Sequence, residues 1–205
     1  MQKLINYLAE KYQDDSSGHD FEHLARVVST SKIINEDQDE FMVELTAWLH
    51  DSFDEKFYVG DMETDLRLLL KQVEIELSDI DFRQLLEDLE NFGYHGGFTK
   101  RPLSKVGQIV EDSDRLDAIG AIGIARACMY GGYKGHQLYD RVRDGEPLES
   151  YEQYRSNRSI IQHFDDKLFK LKDLMNTEKG YILATERHMF MEQFIKQLKK
   201  EINRE

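Results

Sequence analysis

The sequence is short of several things, and each shortage excludes something. Cys128 is the only cysteine in 205 residues, so no internal disulfide framework exists and a reducing compartment is expected. Two prolines, Pro102 and Pro147, leave long stretches in which helices run without interruption. No run approaches the ~18 apolar residues of a membrane span. The start, MQKLINYLAEKY, lacks the basic-then-apolar order of a signal peptide. Basic residues are scarce as well, 27 against 40 acidic ones, for a formal net charge of -13. That balance opposes a broad surface for the phosphate backbone of DNA or RNA. A soluble cytoplasmic chain that binds neither a membrane nor a nucleic-acid polymer is the expectation. A small anionic ligand stays compatible, because a metal or a few local cations can reverse the sign inside one pocket.

What is present reads as helix. The periodicity is helical rather than alternating over 2–13, 20–35, 39–51, 62–76, 79–92, 103–118, 121–130, 152–175 and 178–203. The β-rich cluster Phe57-Tyr58-Val59 is too short for a strand and borders Gly60. The fold class expected is all-α, a compact multi-helix bundle forming a single domain over 1–205, long enough to bury a real core. Glycine-rich connectors are expected at Gly93–Gly97 and Gly131–Gly135. The polar stretch 133–150 is the best candidate for a lid or surface loop. The charged end KQLKKEINRE reads as a solvated helix terminus.

Three stretches carry the chemistry. In SGHDFEHLARVV, a helix places His19, His23 and Arg26 within roughly 60° of one another, beside the core-facing Leu24, Val27 and Val28. In TAWLHDSFD, a helix with Phe41, Leu45, Trp48 and Leu49 on its apolar side ends on His50-Asp51. Imidazole and carboxylate are good ligands for a divalent first-row metal. Consecutive residues diverge by about 100° on a helix, so these two need partners from other helices. In GQIVEDSDRLDAIGAIGIARA, the apolar Ile109, Val110, Leu116 and Ile119 mark an interior helix that also holds Glu111, Asp112, Asp114 and Asp117. Acids on a buried helix need cations, a metal or protonation to offset desolvation. Arg115 and Arg126 could pair some of them. The Gly120–Gly123 run reads as room for a close helix neighbour. His136, His163 and His188 read as structural polar contacts.

Taken together, His23, then His50-Asp51, then Asp114 spell an H…HD…D order on three helices. The chain resembles the HD superfamily of metal-dependent phosphohydrolases, and within it the small bacterial HD proteins with a GHDxxHxxRV opening, an LHDxxDxK centre and a DSDRLDAIGAIGIAR helix. The matching residues here are Gly18–Val27, Leu49–Lys56 and Asp112–Arg126, and the likeness continues through LKDLMNTE and ERHMFM.

The resemblance implies a metal-site core over about 18–130, with helices at 152–203 packed on it. It also implies one divalent ion, Mn, Fe, Co, Ni or Mg, held by His23, His50, Asp51 and Asp114, with Asp112 and Asp117 as alternatives to Asp114. Asp54 would take a proton from the attacking water and Lys56 would neutralise charge developing on phosphate. His19, Arg26 and His95 would hold the substrate phosphates. The activity implied is a pyrophosphohydrolase of nucleoside or deoxynucleoside triphosphates. A nucleotidase, a phosphodiesterase or a non-catalytic nucleotide sensor are the alternatives. A di-iron HD oxygenase would need further histidines, and only His95 lies between His50 and Asp114. A monomer or a homodimer fits equally.

Overall fold

A computed structural model describes the chain except for residues 14–19, 54–57, 94–101, 141–158 and 204–205. The described residues are helical and contain no strand. They cluster into two compact units, one of residues 1–93 with 102–113, the other of residues 114–203.

The first unit comprises α1 (Gln2–Lys11), α2 (Phe21–Ile34), α3 (Glu40–Leu49), α4 (Met62–Gln72), α5 (Asp79–Asn91) and the opening turns of α6 (Lys105–Asp117). Four of these helices begin where a side chain accepts an amide proton from three residues on: Asp20, Asp39, Asp61 and Ser78. Each cap satisfies an amide that the helix itself cannot, worth about 1 kcal/mol. Helix α6 starts in a more elaborate way. Ser104 Oγ accepts from Gly107 N at 3.0 Å, and Ser104 is in turn held by Asp88 of α5, which accepts from its N at 2.8 Å and its Oγ at 2.5 Å. A Cβ at Gly107 would lie 2.4 Å from Asp88 Oδ1, so only glycine lets α6 approach this buried carboxylate.

Leu24 and Val27 of α2, Leu45 and Leu49 of α3, Leu85 of α5 and Val110 of α6 share one buried cluster. Each such side chain contributes roughly 1.5–3 kcal/mol of burial. The closest packing is between α2 and α3, with α5 against α3. The apolar side expected for α3 is confirmed at Leu45, Trp48 and Leu49, whereas Phe41 is an exposed residue near the start of the helix. Phe41 instead borders a shallow, acidic depression with Asp39, Glu76 and Asp81.

The second unit comprises α7 (Gly120–Lys134), α8 (Ile160–Asp166), a 3-10 helix (Leu168–Leu174) and α9 (Glu178–Asn203). Helix α9 packs on α7 and on the 3-10 helix, over Phe164, Leu168, Leu171, Ala184, Met191 and Ile195. Two sequence expectations change here. The helix expected over 121–130 runs on through two glycines to Lys134 and stops at Gly135, whose φ of 71° is left-handed. Gly131 serves packing, since a Cβ there would meet Ile160 at 2.5 Å. The single helix expected over 152–175 divides at Lys167 into α8 and the 3-10 helix, and residues 152–158 lie outside the described residues. Gly120 and Gly123 do admit close neighbours, Gly120 the Arg187 side chain of α9 and Gly123 the backbone of the α6–α7 turn. Gly120 has a φ of 72°, and a Cβ at Gly123 would lie 2.2 Å from the Ala118 carbonyl oxygen. No helix among the described residues is long and apolar enough to cross a membrane.

Candidate metal centre

Two helix ends build the centre. Asp20 is the N-cap of α2, and its carboxylate accepts from His23 N at 2.7 Å, so the cap fixes the backbone of a candidate ligand one turn into the helix. Phe21, beside that cap, stacks on Trp48 of α3 at 5.4 Å, pinning the start of α2 against the end of α3. Helix α3 ends at Leu49, earlier than the expected residue 51, so His50 is its C-cap and Asp51 lies in the turn that follows. His50 keeps helical dihedrals (φ −55°, ψ −34°), so it and Asp51 approach one point from two sides.

The result is a tight cluster. His23 Nε2 lies 3.3 Å and His50 Nε2 3.5 Å from the same oxygen, Asp51 Oδ2. The two rings are 5.3 Å apart at 67°, edge to face. One ligand atom from each of the three residues lies within 4.8 Å of the other two. His23 is fully buried, His50 is 7% exposed and Asp51 is half-buried.

A hydrogen bond fixes the chemistry of one ring. His50 Nδ1 lies 2.8 Å from the Ala47 carbonyl oxygen. A carbonyl only accepts, so Nδ1 must carry the proton and donate. In the neutral ring Nε2 then offers a lone pair toward Asp51. A lone pair and a carboxylate oxygen so close repel unless a proton or a cation lies between them. A backbone-anchored Nδ1–H that leaves the Nε2 lone pair free for an ion is the usual arrangement of a metal-binding histidine. The donor set, two buried imidazoles and a half-buried carboxylate, fits a divalent ion.

The other sequence candidates fall into two groups. Arg26 lies on α2, one turn beyond His23, and is half-buried. Asp112 is fully buried on α6. Asp114, half-buried, belongs to the second unit, as does Asp117, whose Oδ2 accepts from Arg126 Nη1 at 2.7 Å. His19, Asp54, Lys56 and His95 lie outside the described residues. An aspartate three positions ahead of His23 at the start of an apolar stripe was the signal for its capping role.

No family model matches the chain. It is 40% identical over 200 residues to YpgQ of Bacillus subtilis, covering 92% of this chain and 87% of that protein. The crystal structure of YpgQ in complex with ADP superposes with a TM-score of 0.75 at 34% identity, covering 98% of this chain and 95% of that one. A protein from Lactobacillus plantarum gives a TM-score of 0.85 at 33% identity, over 100% of this chain and 97% of its own. An HD-superfamily hydrolase from Bacillus thuringiensis gives 0.76 at 34% identity, over 100% and 97%.

Proposed function

Because the chain belongs to the HD superfamily of metal-dependent hydrolases, we propose that it hydrolyses nucleotides, releasing pyrophosphate from nucleoside or deoxynucleoside triphosphates. The observation that carries this reading is the convergence of His23 and His50 on one oxygen of Asp51. The ADP complex of its relative YpgQ supports a nucleotide as the ligand.

Asp114 is proposed as the fourth ligand. Its support is the motif alone, since in DSDRLDAIGAIGIAR it stands where the H…HD…D order carries its last aspartate. Two imidazoles and two carboxylates would make the site formally neutral with a divalent ion. When bound, Mn²⁺, Fe²⁺, Co²⁺, Ni²⁺ or Mg²⁺ would acidify a coordinated water and polarise a phosphoryl oxygen. Water adds to the α-phosphorus while the bond to the bridging oxygen of the β-phosphate breaks, giving a monophosphate and pyrophosphate. Asp54 takes the water's proton, and Lys56 offsets charge on the leaving group. Arg26, with His19 and His95, orients the phosphates. Arg26 is well suited to this role, since a guanidinium matches phosphate geometry with two parallel donors.

The test is incubation of the chain with each metal and a panel of nucleoside and deoxynucleoside triphosphates, followed by product analysis. Monophosphate and pyrophosphate in equal amounts support the reading. Inorganic phosphate alone would move it to a nucleotidase. Tight nucleotide binding without any product across the metal panel would replace hydrolysis with sensing.

A further inference from the structure

The two histidines of the candidate centre come from different helices, and each lies two residues beyond one member of an aromatic pair. Phe21 precedes His23, Trp48 precedes His50, and the two rings stack at 5.4 Å with 21° between their planes. Trp48 is 6% exposed and belongs to the buried core cluster, against which Phe21 also packs. A second tie reaches the same indole. Its Nε1–H donates to Glu44 Oε1 at 3.4 Å, and Glu44 Oε2 meets Lys32 Nζ of α2 at 2.8 Å. Trp48 of α3 is thus held from α2 twice, directly by Phe21 and through Glu44 by Lys32.

Each histidine also has an anchor of its own. Asp20 accepts from His23 N at 2.7 Å, and the Ala47 carbonyl oxygen receives His50 Nδ1–H at 2.8 Å. Fraying of the start of α2 would carry the His23 ring away from Asp51. Asp20 differs in this from Asp61, which caps α4 through Thr64 N at 3.0 Å on a helix with no candidate ligand. The three donor atoms lie within 4.8 Å of one another, a spacing at which their partial negative charges repel. A backbone that already holds such donors in place binds an ion more tightly, because less has to be ordered on binding.

We propose that Asp20 and the Phe21–Trp48 stack form a positioning clasp, which preforms the His23–His50 pair in the metal-free chain and so sets the affinity of the centre for its divalent ion. The inference rests on the metal centre of the reading above and is independent of the nucleotide. Removing a group that orients a metal ligand weakens metal binding by roughly 10–100-fold. Loss of the clasp therefore weakens metal binding well beyond what loss of an ordinary helix cap does.

Four variants test it, with Mn²⁺ alone as the probe. Asp20→Ala removes the cap; Asp20→Asn keeps a capping oxygen without the charge; Phe21→Leu keeps apolar bulk without the stack; Asp61→Ala removes a cap elsewhere. Equilibrium dialysis with metal analysis gives the Mn²⁺ Kd, and urea unfolding in EDTA gives the stability of the metal-free chain. Asp20→Ala and Phe21→Leu are expected to raise the Kd about ten-fold. Asp20→Asn and Asp61→Ala are expected to stay within about three-fold of the parent, although Asp61→Ala lowers the urea midpoint as far as Asp20→Ala does. A parental Kd in either Asp20→Ala or Phe21→Leu would overturn the clasp. So would an equal rise in Asp61→Ala, since any destabilisation would then act the same way. A rise in Asp20→Asn matching that in Asp20→Ala would also overturn it, because the charge of Asp20 and not its cap would be acting. The measurement uses no substrate, so a parent that binds Mn²⁺ but cleaves no nucleotide overturns the hydrolytic reading alone, and the Kd comparison still decides the clasp. A parent that takes up no divalent ion overturns both.

Discussion

Asp51 and Asp117 are both carboxylates carried into largely buried surroundings, and the two units compensate them with different chemistry. Around Asp51 the first unit sets two imidazole nitrogens, at 3.3 and 3.5 Å. Around Asp117 the second unit sets the Arg126 guanidinium at 2.7 Å, and the charge of Arg187 acts on the same carboxylate. Arginine stays protonated in proteins and has no lone pair to offer a metal. An acid matched to it is neutralised within the chain. A histidine with its far nitrogen bonded to a carbonyl, as in His50, is instead poised to share the acid with an ion. The type of partner, more than the burial of the acid, separates structure from chemistry.

The largest effect that would break this contrast comes from deleting each acid in turn. Asp51→Ala is expected to take bound metal from about one ion per chain toward zero and to lower turnover at least 10³-fold, with thermal stability of the metal-free protein little changed. Asp117→Ala is expected to do the reverse, keeping metal and turnover within about three-fold and losing roughly 2–3 kcal/mol of stability as the Arg126 guanidinium is left unmatched. Metal analysis, kinetics and urea unfolding on the two variants decide it. If Asp117→Ala strips the metal, Asp117 is a ligand and the contrast collapses.

Asp88 supplies a third way to carry a buried acid, and a smaller test. It is 1% exposed, and hydrogen bonds from the Ser104 amide and hydroxyl offset part of its desolvation. Burial still holds its pKa above the ordinary value. Gly107→Ala would drive a methyl into this carboxylate, and overpacking of that kind costs about 1–2 kcal/mol. The expected result is a lower urea midpoint with Mn²⁺ binding at the centre retained. An unchanged midpoint would show that α6 can shift without cost.

Much of this was legible in the sequence, and the reasons it succeeded or failed are physical. Helices α2, α5 and α9 matched the expected spans within a residue or so at each end because their apolar stripes repeat cleanly between recognisable ends. The extension of α7 was hidden because glycine usually ends a helix, whereas Gly131 here makes room for Ile160. The break at Lys167 left no composition signal. At the centre, the residue types gave the ligand chemistry of His23, His50 and Asp51. What the sequence could not give was the end of α3 at Leu49, and the packing that brings His23 of α2 to the Asp51 oxygen that His50 also faces. Tertiary packing decides such ends more than local propensity does.

The smallest effect concerns pH, and it sets the two units in opposition. In the second unit His163 is lowered to about 3, first by burial and then by the positive charges of Lys167 and His136. Below its ordinary value of 6.5, the unfolded chain takes up a proton that the folded chain refuses. Its contribution to stability is therefore complete above 6.5, falls as pH drops, and levels off near 3. In the first unit Asp88, raised above its ordinary 3.8, works the other way, losing stability as pH rises from that value through its folded one. A single group gives a slope of at most about 1.4 kcal/mol per pH unit. Urea unfolding between pH 7 and pH 5, followed by circular dichroism, should show His163→Gln losing less stability on acidification than the parent does. Equal slopes in both would mean that the imidazole is protonated in the folded chain, with the cations around it reoriented to permit the charge.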